Sequence, residues 1–157
     1  FFESGMEQAL VQRVLGAMEL WKAGAYSLAM KKLKGSGFGL TPSGDDFNAG
    51  LLTGFHVLEA LLPARKTTAY KLVVKGARRV VFGGNPLANS GLYHARAGRV
   101  TARQKTFIHE LFKENNQQLT LALDDILVTG ETSGADWLTG FVFIVEKEIK
   151  SWLSSAE

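Results

Sequence analysis

Three observations predict a mostly α fold, a compact multi-helix domain. Apolar residues recur three and four apart in stretch after stretch, glycine or proline closes most of these stretches, and nowhere does apolar–polar alternation run long enough to define a confident strand. Seven or eight helices are expected.

The first helical pattern is carried by Leu10, Val14, Ala17, Met18 and Trp21 and stops at Gly24. A shorter one on Leu28, Met30 and Leu33 stops at Gly35. Residues 35–44 read as a glycine-rich loop, after which Phe47, Leu51, Leu52, Phe55, Leu58, Leu61 and Leu62 define a long apolar helix ended by Pro63. Gly50 and Gly54 lie four apart within it. Each glycine costs a helix interior roughly 1 kcal/mol relative to alanine, so two on one face imply close approach of another backbone or of a ligand.

Residues 67–82 are rich in valine, yet Ala69, Leu72, Val73, Gly76, Ala77 and Val80 follow helical rather than strand spacing. A turn at Gly83-Gly84-Asn85-Pro86 leads to a helix expected over 89–97 and ended by Gly98. Thr101 and Gln104 form a capping-box pattern before Phe107, Ile108, Leu111 and Phe112. Leu119, Leu123, Ile126 and Leu127 mark the next helix up to Gly130, and Trp137, Phe141, Ile144, Val145, Ile149 and Trp152 mark the last, over 135–152. The short connections favour antiparallel neighbours.

With 157 residues, 46% of them apolar and 21% charged, the chain is read as one α-helical domain over 1–157. A start on Phe1-Phe2 without methionine suggests the C-terminal part of a longer chain. A net charge of +3 without any long basic run does not call for nucleic acid. No apolar run approaches the roughly 20 residues of a membrane span, and no basic stretch precedes a secretory signal. Absence of cysteine excludes disulfides, thiolate nucleophiles and cysteine zinc sites, and favours a reducing cytoplasm.

The densest signal is Gly37-Phe38-Gly39-Leu40-Thr41-Pro42-Ser43-Gly44-Asp45-Asp46, with Gly50 following. It is echoed by Ser133-Gly134-Ala135-Asp136 with Gly140, at a constant offset of 90 positions. The pattern is an internal pseudo-repeat of Ser-Gly-x-Asp helix starts. One explanation is structural: Ser43 and Ser133 would be N-caps, with Asp46 and Asp136 reaching back as in a capping box. Capping alone does not require Asp45, Thr41-Pro42 or the loop glycines, so the first copy is the stronger site candidate.

A glycine loop entering a helix N-terminus normally receives an anion, since unpaired N–H groups and about half a positive charge meet there. Asp45 and Asp46 reverse that sign. Two solutions are consistent: the aspartates hold a magnesium ion that bridges to phosphate, or they accept N–H groups of a polar substrate. No P-loop ending, dinucleotide fingerprint or Gly-x-Ser-x-Gly elbow is present. His94, near Arg96 and Arg99, is the histidine best placed to act; His56 and His109 read as ordinary helix residues. Arg78, Arg79, Arg96, Arg99 and Arg103 are the candidates for an anion clamp.

Gly39-Leu-Thr-Pro-Ser-Gly-Asp-Asp-Phe-Asn-Ala-Gly50 resembles the hallmark of the AllH-type family, Gly-Leu-Thr-Pro-Ser-Gly-Asp-Asp-Phe/Leu with a following glycine. The likeness extends through Asn85–Gly98 and Gly130–Gly140, and so covers most of residues 37–145. It implies a subunit of oxamate carbamoyltransferase, which works with companion subunits in anaerobic allantoin breakdown and converts oxalurate and phosphate to oxamate and carbamoyl phosphate. In an enzyme subunit of this type, the loop chemistry makes Asp45 and Asp46 the expected catalytic pair and possible magnesium ligands. Gly39, Thr41, Ser43, Gly44, Asn85, His94, Ser133, Gly134 and Asp136 are the expected substrate contacts, although many relatives carry Thr-Thr/Pro-x-Ser where this chain has Asn85-Pro-Leu-Ala88 and so lacks their hydroxyls there. A non-catalytic assembly subunit and a small-anion or metabolite-binding module are the alternatives.

Overall fold

The computed structural model describes residues 5–61, 75–76, 84–113 and 115–153. Among these it contains seven helices and no strand: α1 (Gly5–Lys22), α2 (Tyr26–Leu33), α3 (Ser43–Leu61), α4 (Pro86–Arg96), α5 (Ala102–Leu111), α6 (Asn116–Leu127) and α7 (Ser133–Leu153). The mostly α class is what the apolar spacing predicted. The helix expected over 67–82 lies outside the described residues, apart from helical Lys75 and Gly76. Leu62, Pro63 and Gly83 lie outside them as well.

Most helix ends fall close to the punctuation that predicted them, but α4 begins earlier than expected. Asn85 is its N-cap, its side-chain oxygen accepting from Leu87 N at 2.9 Å, and Pro86 opens the first turn. Proline has no N–H to lose there and its φ is already helical, so the expected turn is the helix start itself. The capping box at α5 forms with both arms: Thr101 Oγ1 accepts from Gln104 N, and Gln104 accepts from Thr101 N at 2.9 Å.

α3 and α7 form the central pair, with α4 against α3, α2 beneath its start, and α5 and α6 as a hairpin beside α7. Side chains that are 1% exposed or less fill the seam, among them Trp21, Met30, Leu51, Leu52, Leu92, Phe141 and Ile144. Trp137 stacks on Phe141 with ring centroids 5.4 Å apart, and Phe107 from α5 meets both edge-on. These are favoured aromatic geometries.

The crossing is tight because of glycine. A methyl group on Gly50 would stand 1.8 Å from Trp137 O, and one on Gly140 would stand 2.0 Å from Phe47 O. The two contacts are reciprocal. Close approach to backbone is thus the reason for both glycines, and Gly54 adds a third point of contact, against Ile144. Among the described residues no helix is long and apolar enough to cross a membrane.

Candidate functional site

The two Ser-Gly helix starts are built alike. A Cβ on Gly44 would lie 2.0 Å from Leu33 O at the end of α2, and one on Gly134 would lie 1.9 Å from Ile126 O near the end of α6. Gly44 N donates to Ser36 O at 2.8 Å, and Gly134 N donates to Thr129 O at 3.0 Å. In each copy the glycine lets a new helix begin on the carbonyl of the helix before it.

The serines do not cap these helices. Pro42 O accepts from Asp45 N and Asp46 N at 2.8 and 3.2 Å, and Thr132 O accepts from Asp136 N at 2.9 Å, so Ser43 and Ser133 occupy the first helical position. The capping-box explanation of the motif is corrected accordingly. With the preceding carbonyls serving as caps, the side chains meet across the crossing: Thr41 Oγ1 and Ser133 Oγ are 2.8 Å apart.

Asp45 and Asp46 turn to different sides. Asp45, 3% exposed, accepts from Gly35 N at 3.2 Å and so ties the glycine loop to α3. Burial pushes its carboxyl above the usual range, opposed by the Gly35 hydrogen bond and the charge of Lys34. Asp46 faces the second copy. Burial raises its carboxyl, hydrogen bonding to Ser133 and Thr41 works the other way, and the charges of Asp136 and Asp45 raise it further. Asp46 Oδ2 and Asp136 Oδ2 are both buried and have no hydrogen-bond partner.

The loop itself is held by α4. Lys34 Nζ donates to Asn89 Oδ1 at 2.6 Å, and Asn85 Nδ2 donates to Leu40 O. At Gly37, φ is +103° and a Cβ would meet Ser43 N at 2.8 Å, so only glycine allows the loop to fold over the helix start.

In front of Asp46 opens a cavity of about 620 Å³. Thr41, Asp46, Ser133 and Gly134 line it together with His94, Arg99, Thr101, Arg103 and Gln104, and Ala49, Ile126 and Trp137 are its apolar lining. Arg103 Nε lies 3.3 Å from Asp125 and its Nη1 donates to Thr129 Oγ1 at 3.1 Å, which fixes its direction. The Arg99 guanidinium stands over the Tyr93 ring at 5.5 Å, and among the described residues no acidic side chain pairs with it. Guanidinium groups so placed are suited to carboxylate or phosphate.

Of the residues singled out from the sequence, Thr41, Asp46, His94, Ser133 and Gly134 line this cavity. Ser43, Gly44, Asp45 and Asn85 build the loop and helix start behind it, Gly39 lies exposed in the loop, and Asp136 is not among the lining residues, although its charge acts on Asp46. Arg99 and Arg103 are the clamp candidates that reach it; Arg96 stacks on Tyr93, and Arg78 and Arg79 lie outside the described residues. His56 and His109 line a separate, mainly apolar pocket. Thr129, Gly91 and Gln104 were not foreseen as lining residues; Gln104 was visible in the sequence only as a capping partner. Among the described residues no three His, Asp or Glu side chains gather as a metal site would require.

Fold and site together define a mostly α protein, without a strand among the described residues, whose cavity is lined by arginines and by residues of the α3 and α7 starts. The chain belongs to the AllH family: residues 33–145 match the family model described as oxamate carbamoyltransferase subunit AllH. That span runs from the end of α2 into the middle of α7 and includes every residue placed on the cavity. No curated protein and no solved structure matches the chain significantly.

Proposed function

We propose that this chain is a subunit of a carbamoyltransferase acting between oxamate or oxalurate and phosphate or carbamoyl phosphate, in anaerobic allantoin degradation in the cytoplasm. The observation that carries the reading is the cavity itself, which brings Arg99 and Arg103 into one lining with the hydroxyl and carboxyl groups of Thr41, Ser133 and Asp46. The substrates bear carboxylate, amide and phosphate on small frames, and the cavity offers cationic side chains for the anions and acceptors for amide N–H groups.

In the forward reaction a phosphate oxygen attacks the carbamoyl carbon of oxalurate, the C–N bond breaks, and oxamate leaves with a proton added to its nitrogen. Arg99, stacked on Tyr93, holds one anionic group, and Arg103, kept in place by Asp125 and Thr129, holds a second. Such positioning turns an encounter of two anions into a bound geometry. A magnesium ion carried in on phosphate would meet Asp46, which lines the cavity, rather than Asp45, whose oxygen already accepts from Gly35, and would offset negative charge on the phosphate.

Companion subunits are part of the proposal. The loop that leads into Thr41 exposes Phe38 and Leu40, 60% and 80% accessible, and apolar surface of this kind suits contact with another chain. The test is phosphate-dependent release of oxamate from oxalurate by the full-length protein reconstituted with its companions. Arg99→Gln is expected to raise KM for phosphate or oxalurate at least tenfold, the effect of losing about 1.4 kcal/mol of binding, with the thermal midpoint unmoved. An unaltered KM and kcat in that variant would overturn the assignment; a complex that assembles normally yet never releases oxamate would overturn the activity.

A further inference from the structure

Much of the cavity's donor chemistry comes from one short stretch. Arg99, Thr101, Arg103 and Gln104 all line it, from the turn after α4 to the first turn of α5. In the carbamoyl-transfer reading the two arginines hold the anionic groups. The carbonyl oxygen of the carbamoyl group is then left to a neutral donor. It gains negative charge when phosphate attacks, so the donor has most effect if its direction is set beforehand.

Other neutral hydroxyls on the lining are engaged. Thr41 Oγ1 and Ser133 Oγ are 2.8 Å apart, and both residues also hydrogen-bond the Asp46 carboxyl. Thr129 Oγ1 accepts from Arg103 and donates to Asp125 O at 3.4 Å. Thr101 Oγ1 accepts from Gln104 N at 3.3 Å, and its remaining hydrogen is free to turn about the C–O bond. Gln104 differs from all of these. It is half-buried, its side-chain oxygen accepts from Thr101 N at 2.9 Å, and among the described residues nothing accepts from its Nε2.

The capping box thereby fixes which end of the amide is which. A backbone N–H can only donate, so the atom bonded to Thr101 N is the oxygen, and the NH2 group is left with both hydrogens unclaimed by the protein. The same bond restrains the side chain without using either hydrogen. Gln104 stands at the third position of α5, where the positive end of the helix dipole favours growing negative charge.

We propose that Gln104 is a catalytic residue whose Nε2 donates to the carbonyl oxygen of the carbamoyl group as that oxygen becomes negative. The inference rests on the carbamoyl-transfer reading for its substrate. A phosphate oxygen bonds to the carbamoyl carbon, and the C=O electron pair moves onto oxygen, against the Gln104 amide. That pair returns as the C–N bond breaks. The C–N electrons leave on the oxamate nitrogen, which takes the proton that hydrogen phosphate gives up, so atoms and charge balance. The bond from Thr101 N to Gln104 is kept throughout, and the donor needs no reorganisation as the charge develops.

One side chain thus has two separable roles, the oxygen capping and the nitrogen donating. Glutamate, the other residue of a capping box, supplies only the first. The experiment follows oxamate release from oxalurate and phosphate by the full-length protein reconstituted with its companions. Gln104→Glu is expected to leave the thermal midpoint unmoved and to lower kcat about a hundredfold or more, the scale of removing one such donor. Gln104→Leu removes both ends, and is expected to lower kcat similarly, with KM little changed, and to lower the midpoint as well. Unaltered kcat in the Glu variant overturns the inference. So does a rise in KM alone, which would mark a contact made equally in the ground state, and so does a loss of kcat in the Glu variant that the Leu variant does not share, which would trace to the added charge. An unmodified complex that releases no oxamate overturns the inference and the carbamoyl-transfer reading together, whereas an active complex indifferent to Gln104→Glu overturns the inference alone.

Discussion

Asp45 and Asp46 are neighbours in the chain with separate tasks. One step along a helix turns a side chain by about 100°, which sends Asp45 back to Gly35 N–H and Asp46 forward to the cavity. The adjacent acids are conspicuous in the sequence, but their divergence depends on which one falls under the glycine loop. Asp45→Ala should therefore act on stability, removing the acceptor that closes the loop at a cost of about 1–3 kcal/mol, seen as a lower denaturation midpoint by urea unfolding. A midpoint equal to that of the unmodified protein would mean that the Gly35 contact carries no weight. The same turn of geometry hid Arg99 and Arg103 among five equivalent arginines. Nothing in their local sequence marks them, since their value comes from sharing a lining with residues of other helices.

Helices were the most legible level. Periodicity located all seven described helices, and Gly50 and Gly54 were correctly read as points of close approach, because glycine inside an apolar helix has a cost that packing must offset. Boundaries were less legible where capping groups compete: α4 starts at Pro86 rather than 89, and the motif serines sit inside their helices because carbonyls of Pro42 and Thr132 take the cap position. The crossing makes a prediction whose sign departs from propensity. Ala is worth up to about 1 kcal/mol over Gly in a free helix, yet Gly50→Ala should destabilise by about 1–3 kcal/mol, because the new methyl would meet Trp137 O, which cannot swing aside as a side chain would. Differential denaturation of Gly50→Ala against Gly91→Ala, where nothing lies within 4 Å, separates the two effects. Equal shifts would show that the helices part at no cost.

For the molecule as a whole, the cavity was beyond sequence reading: its lining comes from the glycine loop, α3, α4, the turn after it, α5, α6 and α7. Its electrostatics do have a global readout. Burial raises the folded-state carboxyls of both Asp45 and Asp46 above their unfolded values. The unfolded chain then releases these protons first, so the contribution is fully present below about pH 4 and is lost as pH climbs through the folded-state values. Relative to Asp46→Asn, which stays neutral throughout, the unmodified protein should lose thermal midpoint as pH rises above about 4, the ordinary aspartate value; a difference that stays constant as pH rises from there would contradict it. The grip of α4 on the loop has a mechanical consequence at this scale. Asn85 and Asn89 lie one turn apart and hold Leu40 O and Lys34 respectively, so the loop is pinned to α4 at two points, and Thr41 and His94, which both line the chamber, are also joined through its outer frame.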